Sequence, residues 1–310
     1  MICTELKSQY GEDILSKIGN TPLLRLGRIM ELQGGAELYA KAEWFNPGGS
    51  VKDRAALRII EDALRRGSLS DGKILLDASS GNTGIAYAMI CAVKGIRSCI
   101  VVPRNIGKEK LEMLRAYGAE VVLSDPMEGT DGAQRLAKKL DDENPGMYYY
   151  ADQYNNSSNW RAHYDGTGQE ILRQTGGKID YFVAGVGTGG TFTGTAKFLK
   201  EKIPSLTAVA VEPDSPLHGI EGLKRMDSSI RPGIYDETLA DEHIYVKTED
   251  AQRMVITAAR KEGLLLGVSS GAALKACEDI FRREGKCSVV TVFPDSGQRY
   301  LGERFWEANL

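Results

Sequence analysis

Four short segments of this chain combine residue types that can do chemistry. The first, Asn46-Pro47-Gly48-Gly49-Ser50-Val51-Lys52-Asp53-Arg54, is turn-rich and runs into a helical pattern whose expected N-cap is Ser50. Lys52 then falls in the first helical turn, where the positive end of the helix dipole disfavours its charge. That field lowers the amine's pKa and favours a nucleophile or an imine; an exposed lysine tolerated at small cost is the alternative. The second segment is Ser79-Ser80-Gly81-Asn82-Thr83-Gly84. It follows a strand and opens a helix, so its amides and hydroxyls can face a carboxylate or phosphate, or simply cap the helix. The third, Gly185-Val186-Gly187-Thr188-Gly189-Gly190-Thr191, has the same context, and successive amides with threonine hydroxyls suit a phosphate. Its spacing partly matches a dinucleotide loop, but no clear ribose-binding acid ends a strand about twenty residues later, Glu212 being the nearest candidate, and the Gly-Lys-Ser/Thr ending of a triphosphate loop is absent. The fourth, Gly267-Val268-Ser269-Ser270-Gly271-Ala272-Ala273, is by itself a capping signal. Three anion-friendly strand ends and one lysine at a helix start together suit pyridoxal phosphate acting on an amino acid.

The elements that must position these segments follow from periodicity. Strands are expected at Leu38–Trp44, Lys73–Ala78, Arg97–Val102, Glu120–Leu123, Tyr181–Ala184, Ala208–Val211 and Ser288–Phe293. Between them lie helical patterns at Val51–Arg66, Asn82–Val93, Lys108–Tyr117, Gly132–Asp141, after Gly190, at Glu249–Lys261 and at Gly271–Arg283, with Gly95, Gly118 and Gly146 placed as left-handed caps. Alternating strands and helices predict an α/β protein with mostly parallel sheets covered on both faces. The amide-rich stretch Asn155–Gly166 reads as a domain junction, and Pro213–Asp241 as a long surface excursion of functional character.

Composition narrows the function classes. The chain has 310 residues, 39 Lys plus Arg against 42 Asp plus Glu and a net charge of −3, which speaks against a nucleic-acid-binding surface. Thirty-five glycines exceed the usual share and call for many tight turns or backbone-lined sites. No run approaches a membrane span, and Met1–Tyr10 lacks an apolar signal segment, so a cytoplasmic protein is expected. The five cysteines, Cys3, Cys91, Cys99, Cys277 and Cys287, read as mostly buried, reduced thiols. His163, His218 and His243 are far apart in sequence, so no metal site is expected and polar surface or loop positions are assigned to them.

Read together and in order, the motifs resemble the cysteine synthase and cystathionine β-synthase family of fold-type II pyridoxal-phosphate enzymes. The resemblance starts at Ile18-Gly19-Asn20-Thr21-Pro22-Leu23, passes through the four segments, takes in Asp152-Gln153-Tyr154 and Val211-Glu212-Pro213, and ends in Pro294-Asp295-Ser296-Gly297-Gln298-Arg299-Tyr300-Leu301. It implies two three-layer α/β/α domains: a smaller mobile one at 45–154, and a larger one made of 1–44 and 155–310. It further implies that Lys52 forms the imine with the cofactor and then removes the α-proton. Asn82 would meet the cofactor's phenolic oxygen, Gly187, Thr188, Gly189, Gly190 and Thr191 its phosphate, and Ser269, or its neighbour Ser270, its ring nitrogen. Ser79, Ser80, Gly81, Thr83 and Gln153 would take the substrate carboxylate. The implied reaction is β-replacement on O-acetyl-L-serine by sulfide, through an aminoacrylate, to give L-cysteine. The excursion reads Leu217-His218-Gly219-Ile220-Glu221-Gly222-Leu223-Lys224-Arg225-Met226, closer to the B-type and O-phosphoserine-using branches. Lys224 and Arg225 are therefore candidates for a phosphate leaving group. O-phosphoserine sulfhydrylase and cystathionine β-synthase are the second and third readings, and a nucleotide-binding module lies outside the class. The family suggests a homodimer with small-molecule substrates; free sulfide, thiosulfate or a sulfur-carrier protein remain open as donors.

Overall fold

The computed structural model describes residues 13–30, 35–70, 72–79 and 81–307. Two sheets organise them. The larger has six strands in the order β1 (Leu23–Leu26), β2 (Glu37–Ala42), β10 (Ser288–Phe293), β7 (Tyr181–Gly185), β8 (Thr207–Pro213) and β9 (Glu242–Val246). The smaller has four, in the order β5 (Glu120–Ser124), β4 (Ser98–Pro103), β3 (Ile74–Ala78) and β6 (Tyr148–Tyr150). Every pairing is parallel except β1 with β2.

Period-two alternation sends neighbouring side chains of each strand into different cores, which is why the strands read as continuous apolar runs. On β7, Val183 joins Met254, Leu274 and Ile280, while Phe182 joins Phe192 and Leu199. On β3, Leu75 packs with Ile59, Ile60 and Ile85, and Leu76 with Ala133 and Ala137. Each sheet is thus covered by helices on both faces, a three-layer arrangement.

The helices that matter for the site begin at strand carboxyl ends: α1 (Lys52–Arg65), α2 (Asn82–Lys94) after β3, α7 (Gly190–Lys202) after β7 and α9 (Val268–Glu284). Others are α3 (Lys108–Ala116), α4 (Gly129–Glu143), α5 (Ser157–Ala162), α6 (Gln169–Thr175) and α8 (Thr248–Glu262). Gly95, Gly118 and Gly146 all have positive φ.

Several expectations need correction. The strand at Leu38–Trp44 stops at Ala42, and Glu43–Phe45 turns into a 3-10 helix. Helix α1 is capped at Val51 without a side-chain bond; Ser50 accepts from the Lys52 amide at 3.3 Å and bridges to Asp295. Strands β1, β6 and β9 were not legible, being short and half-exposed. The stretch Asn155–Gly166 is mostly helical: α5, a π-helix at His163–Gly168, and α6 run on without a break. Packing overrides propensity there, because Gly194 of α7 lies against the Trp160 carbonyl and Gly168 against Phe198, contacts that a side chain would prevent. The Pro213–Asp241 excursion is irregular as expected, apart from a 3-10 turn at Glu237–Leu239. Cys91, Cys99, Cys277 and Cys287 are free and buried, whereas Cys3 and the N-terminal segment lie outside the described residues.

Candidate active site

A cleft opens where the carboxyl ends of strands from both sheets meet, the place at which open α/β sheets bind ligands. Its walls include Lys52, Ser79, Asn82, Thr83, Gln153, Gly187, Thr188, Gly189, Thr191, Lys224, Ser269 and Asp295. Residues from all four chemistry-bearing segments are therefore in one place.

Lys52 is partly buried at the first position of α1. Burial lowers its amine pKa, and the attraction of Asp295 and Glu43 opposes that pull without cancelling it. Asp295, which sequence reasoning quoted but gave no role, is the acid of the site. Its Oδ2 accepts from Asn82 Nδ2 at 2.7 Å and from the Tyr300 hydroxyl at 2.5 Å. Its Oδ1 is buried with no hydrogen-bond partner among the described residues. Gly267 is required beside it, since a Cβ there would collide with that oxygen.

The Ser79–Gly84 segment caps its helix and also lines the cleft. The Ser79 hydroxyl accepts from the amides of Gly81 at 3.1 Å and Gly84 at 2.9 Å, capping α2 from inside. Its own hydrogen stays available to the cleft. Thr83 donates to Gln153 Oε1 at 2.8 Å, and Gln153 Nε2 donates to the Ala78 carbonyl at 2.7 Å, so the Gln153 amide has one orientation. Beneath them, Asp77 accepts from the amides of Ala78 and Gln153, and burial pushes its pKa up to about 7. Gly81 packs on the Lys110 side chain and does not itself line the cleft. Ser80 lies outside the described residues.

The Gly185–Thr191 loop is glycine-rich for steric reasons. Gly189 has φ +86°, Gly187 abuts the Gly222 carbonyl and Gly190 abuts the Asn159 side-chain oxygen. The amides of the first turn of α7 have no intrahelical acceptors and sit at the positive end of its dipole, so the loop can hold a phosphate. Gly190 stands behind this surface, outside the cleft lining. Asn159 Nδ2 donates to Thr188 Oγ1 at 3.2 Å, and Thr191 Oγ1 lies 3.3 Å from His163 Nε2. His163 is thus no surface histidine. It is buried in the π-helix with its Nδ1 2.9 Å from Thr167 Oγ1, and burial, aided by the Arg54 charge, lowers its pKa to about 3. A neutral imidazole fixed at both nitrogens fixes Thr191 in turn. A polar stretch expected to be a junction hid this role. Among the described residues no group of three or more His, Cys, Asp or Glu side chains is placed to hold a metal ion.

At the start of α9, Ser269 faces the cleft, whereas Ser270 is fully buried outside the lining. Lys224 lines the cleft with its charge already committed, donating to Asp131 Oδ1 at 2.8 Å. Arg225 is not in the lining; it pairs with Asp227 at 2.8 Å and lies over the Tyr245 ring.

A low-pKa amine, an amide-lined anion seat and a small hydroxyl at a third helix start form a donor set that fits pyridoxal phosphate, with Lys52, the Gly187–Thr191 loop and Ser269 placed to hold it. The family model described as "Pyridoxal-phosphate dependent enzyme" matches residues 14–295. The chain belongs to that family. It is a fold-type II member, an enzyme, and its cofactor is pyridoxal phosphate. Among relatives, a cysteine synthase of Aquifex aeolicus is 48% identical over 296 residues, covering 94% of this chain and 90% of its own length. Cysteine synthase B of Salmonella typhimurium is 42% identical, covering 92% of each chain. Among solved structures, a hydrogen sulfide-producing enzyme from Fusobacterium nucleatum superposes with a TM-score of 0.89 at 38% identity, covering 94% of this chain and 100% of that one.

Proposed function

We propose that this enzyme is a cysteine synthase that converts O-acetyl-L-serine and sulfide into L-cysteine and acetate. The observation that carries the reading is the place of Lys52 in one cleft with Gly187, Thr188, Gly189 and Thr191 and with Ser79, Thr83 and Gln153. When bound, the cofactor draws electrons from the α-carbon of the amino acid joined to it and so eases loss of the α-proton and of the β-substituent. Lys52 takes the α-proton on Nζ. The β-carbon to oxygen bond breaks and acetate leaves with the electron pair; the sulfur of hydrosulfide then forms the new bond, and Lys52 returns the proton to the α-carbon. Ser79, Ser80, Thr83 and Gln153 hold the substrate carboxylate, with Gly81 behind them. Asn82 faces the phenolic oxygen, Gly187 to Thr191 take the phosphate, and Ser269 meets the ring nitrogen. A neutral serine there keeps the ring a weaker electron sink, which favours elimination over transamination. Residues 45–154 act as a smaller domain that closes on the substrate against 1–44 and 155–310 and excludes water. We read the working unit as a cytoplasmic homodimer.

The pairing of Lys224 with Asp131 and of Arg225 with Asp227 supports acetate over phosphate as the leaving group, because neither charge is free to meet a dianion. O-Phosphoserine use is the second reading, favoured by Lys224 lining the cleft; sulfide, thiosulfate or a sulfur-carrier protein would each serve as donor to the same site. The deciding experiment supplies the holoenzyme with O-acetylserine, O-phosphoserine or serine, plus sulfide, and measures cysteine. Expected is turnover with O-acetylserine at least about tenfold above the others, and a Lys224→Met loss that is equal for both activated donors. Faster turnover of O-phosphoserine, lost selectively in that variant, would install the second reading.

A further inference from the structure

Pro294, Asp295 and Tyr300 line the cleft, and Arg299, in the 3-10 turn between them and outside that lining, joins two segments that are remote in sequence. Its Nη1 donates to Asn82 Oδ1 and its Nη2 to the Gly48 carbonyl. A guanidinium has donors and no acceptor, so the Asn82 amide can face Arg299 only with its oxygen. The amide nitrogen is thereby turned the other way, where one hydrogen goes to Asp295 Oδ2 at 2.7 Å and the second is left for a ligand. At the Gly48 end the loop is shaped around the guanidinium. Gly49 has φ +78°, and a Cβ there would lie 2.6 Å from Arg299 Nη2. Gly48 is held from its other side by Asp53, which accepts from its amide at 2.5 Å. The same loop delivers Lys52 to α1 four residues later.

We infer that Arg299 is a positioning residue. It sets the donor direction of Asn82 and ties that amide to the loop that presents Lys52, so two of the groups facing the cofactor are held in register by a residue that touches neither substrate nor reacting atoms. The inference rests on the cofactor reading of the site.

The test follows the visible absorbance band of the bound cofactor across pH in the holoenzyme and in the Arg299→Met, Arg299→Lys, Asn82→Ala and combined Arg299→Met/Asn82→Ala variants, with kcat and KM for O-acetylserine alongside. Methionine keeps bulk but removes every donor. Arg299→Met should move the band's pH midpoint by roughly half a unit or more, the effect of losing one hydrogen bond at the site. It should lower kcat about tenfold with a smaller change in KM, and add less than about threefold in the Asn82→Ala background, because the two residues act as one unit. Arg299→Lys, which keeps the charge but reaches one acceptor at a time, should fall between wild type and Arg299→Met. A wild-type midpoint and kcat in Arg299→Met, or an undiminished loss in the Asn82→Ala background, would overturn the inference. If the methionine variant does not fold, the lysine variant decides by the same midpoint. A wild-type protein that shows no visible band with added pyridoxal phosphate would instead sink the cofactor reading itself.

Discussion

Two effects act on the Lys52 amine. Its position at the start of a helix and the burial around it both disfavour the ammonium form, while Asp295 and Glu43 retain some of the charge. A lowered amine pKa favours the nucleophilic form and then the base. Lys52→Ala should leave the far-UV circular dichroism unchanged and lower cysteine formation by more than about a thousandfold, since the base alone supplies on the order of 10²–10⁴. Retained turnover in that variant would remove Lys52 from the chemistry. His163 acts one contact further out. Its replacement by Ala frees Thr191 and leaves Thr167 without its partner, so the cofactor should be retained more weakly, by about three- to tenfold in dissociation constant, as measured by dialysis and absorbance. An unchanged constant would show that Thr191 needs no support. Each of the four local segments was open to a plain capping or surface reading by itself, because small residues at a strand-to-helix turn suit any helix start; Lys52, Asn82, Ser269 and the glycine loop stood out only through the ordered motifs and the family they resemble. His163 was not legible, since a lone histidine in a polar stretch carries no local signal.

At the scale of elements, the cleft is built from helix starts: α1, α2, α7 and α9 each present a first turn to it. At Ser79 the hydroxyl that caps the helix also lines the cleft. Ser79→Ala should cost about 1 kcal/mol in urea unfolding through the lost cap and also raise KM for O-acetylserine, while Ser79→Thr restores both. A rise in KM without loss of stability would mean that the hydroxyl serves only the ligand. The excursion after β8 is held by its neighbours on both sides. Lys224 donates its amide to the Val186 carbonyl and its amine to Asp131 of α4, and Lys110 of α3 pairs with Glu221. No periodic pattern in residues 214–241 foretold those anchors, because they are contacts between elements and leave no trace in local spacing.

Across the whole molecule, the most concentrated polar feature is a buried charge cluster behind α1. Arg54 donates to Glu43 at 2.7 and 2.9 Å and to Glu170 at 2.7 and 2.8 Å, and Lys41 pairs with Glu170 at 2.6 Å. These four residues join β2, the turn after it, α1 and α6. Arg54→Met should cost about 3–5 kcal/mol in chemical unfolding, because it strands two buried carboxylates; a loss below about 1 kcal/mol would mean that the acids take up protons or water instead. Burial would raise Glu170, but its bonds to Arg54 and Lys41 hold it at about 2. A depressed acid stabilises the fold above its ordinary pKa and loses that contribution as pH falls from 4.5 towards 2. Burial raises Asp53 and Asp77 to about 7, offset in part by the Gly48 and Ala78 amides. A raised acid works in the opposite sense, and its stabilising effect is lost as pH climbs from 3.8 towards 7. Stability should therefore peak on the acid side of neutrality, and Asp77→Asn should flatten the decline between pH 4 and 7 in thermal melts. A decline that is unchanged in that variant would place its cause elsewhere.

By itself the sequence determined the α/β class, most of the parallel strands, the helices at their carboxyl ends and the lysine, serine and glycine segments between them. These depend on side-chain period and on backbone freedom over a few residues, and both are written locally. Tertiary structure decided what meets across the chain: Asp295 with Asn82, 213 residues apart; Arg299 with Gly48, 251 apart; His163 under Thr191; and the choice of Ser269 over Ser270 as the residue that faces the cleft. It also decided the short edge strands and the helical run from Ser157 to Thr175, whose stability comes from neighbours and not from propensity. Crossover connections bring strand ends together, and only that convergence turns four separate capping motifs into one site for a single ligand.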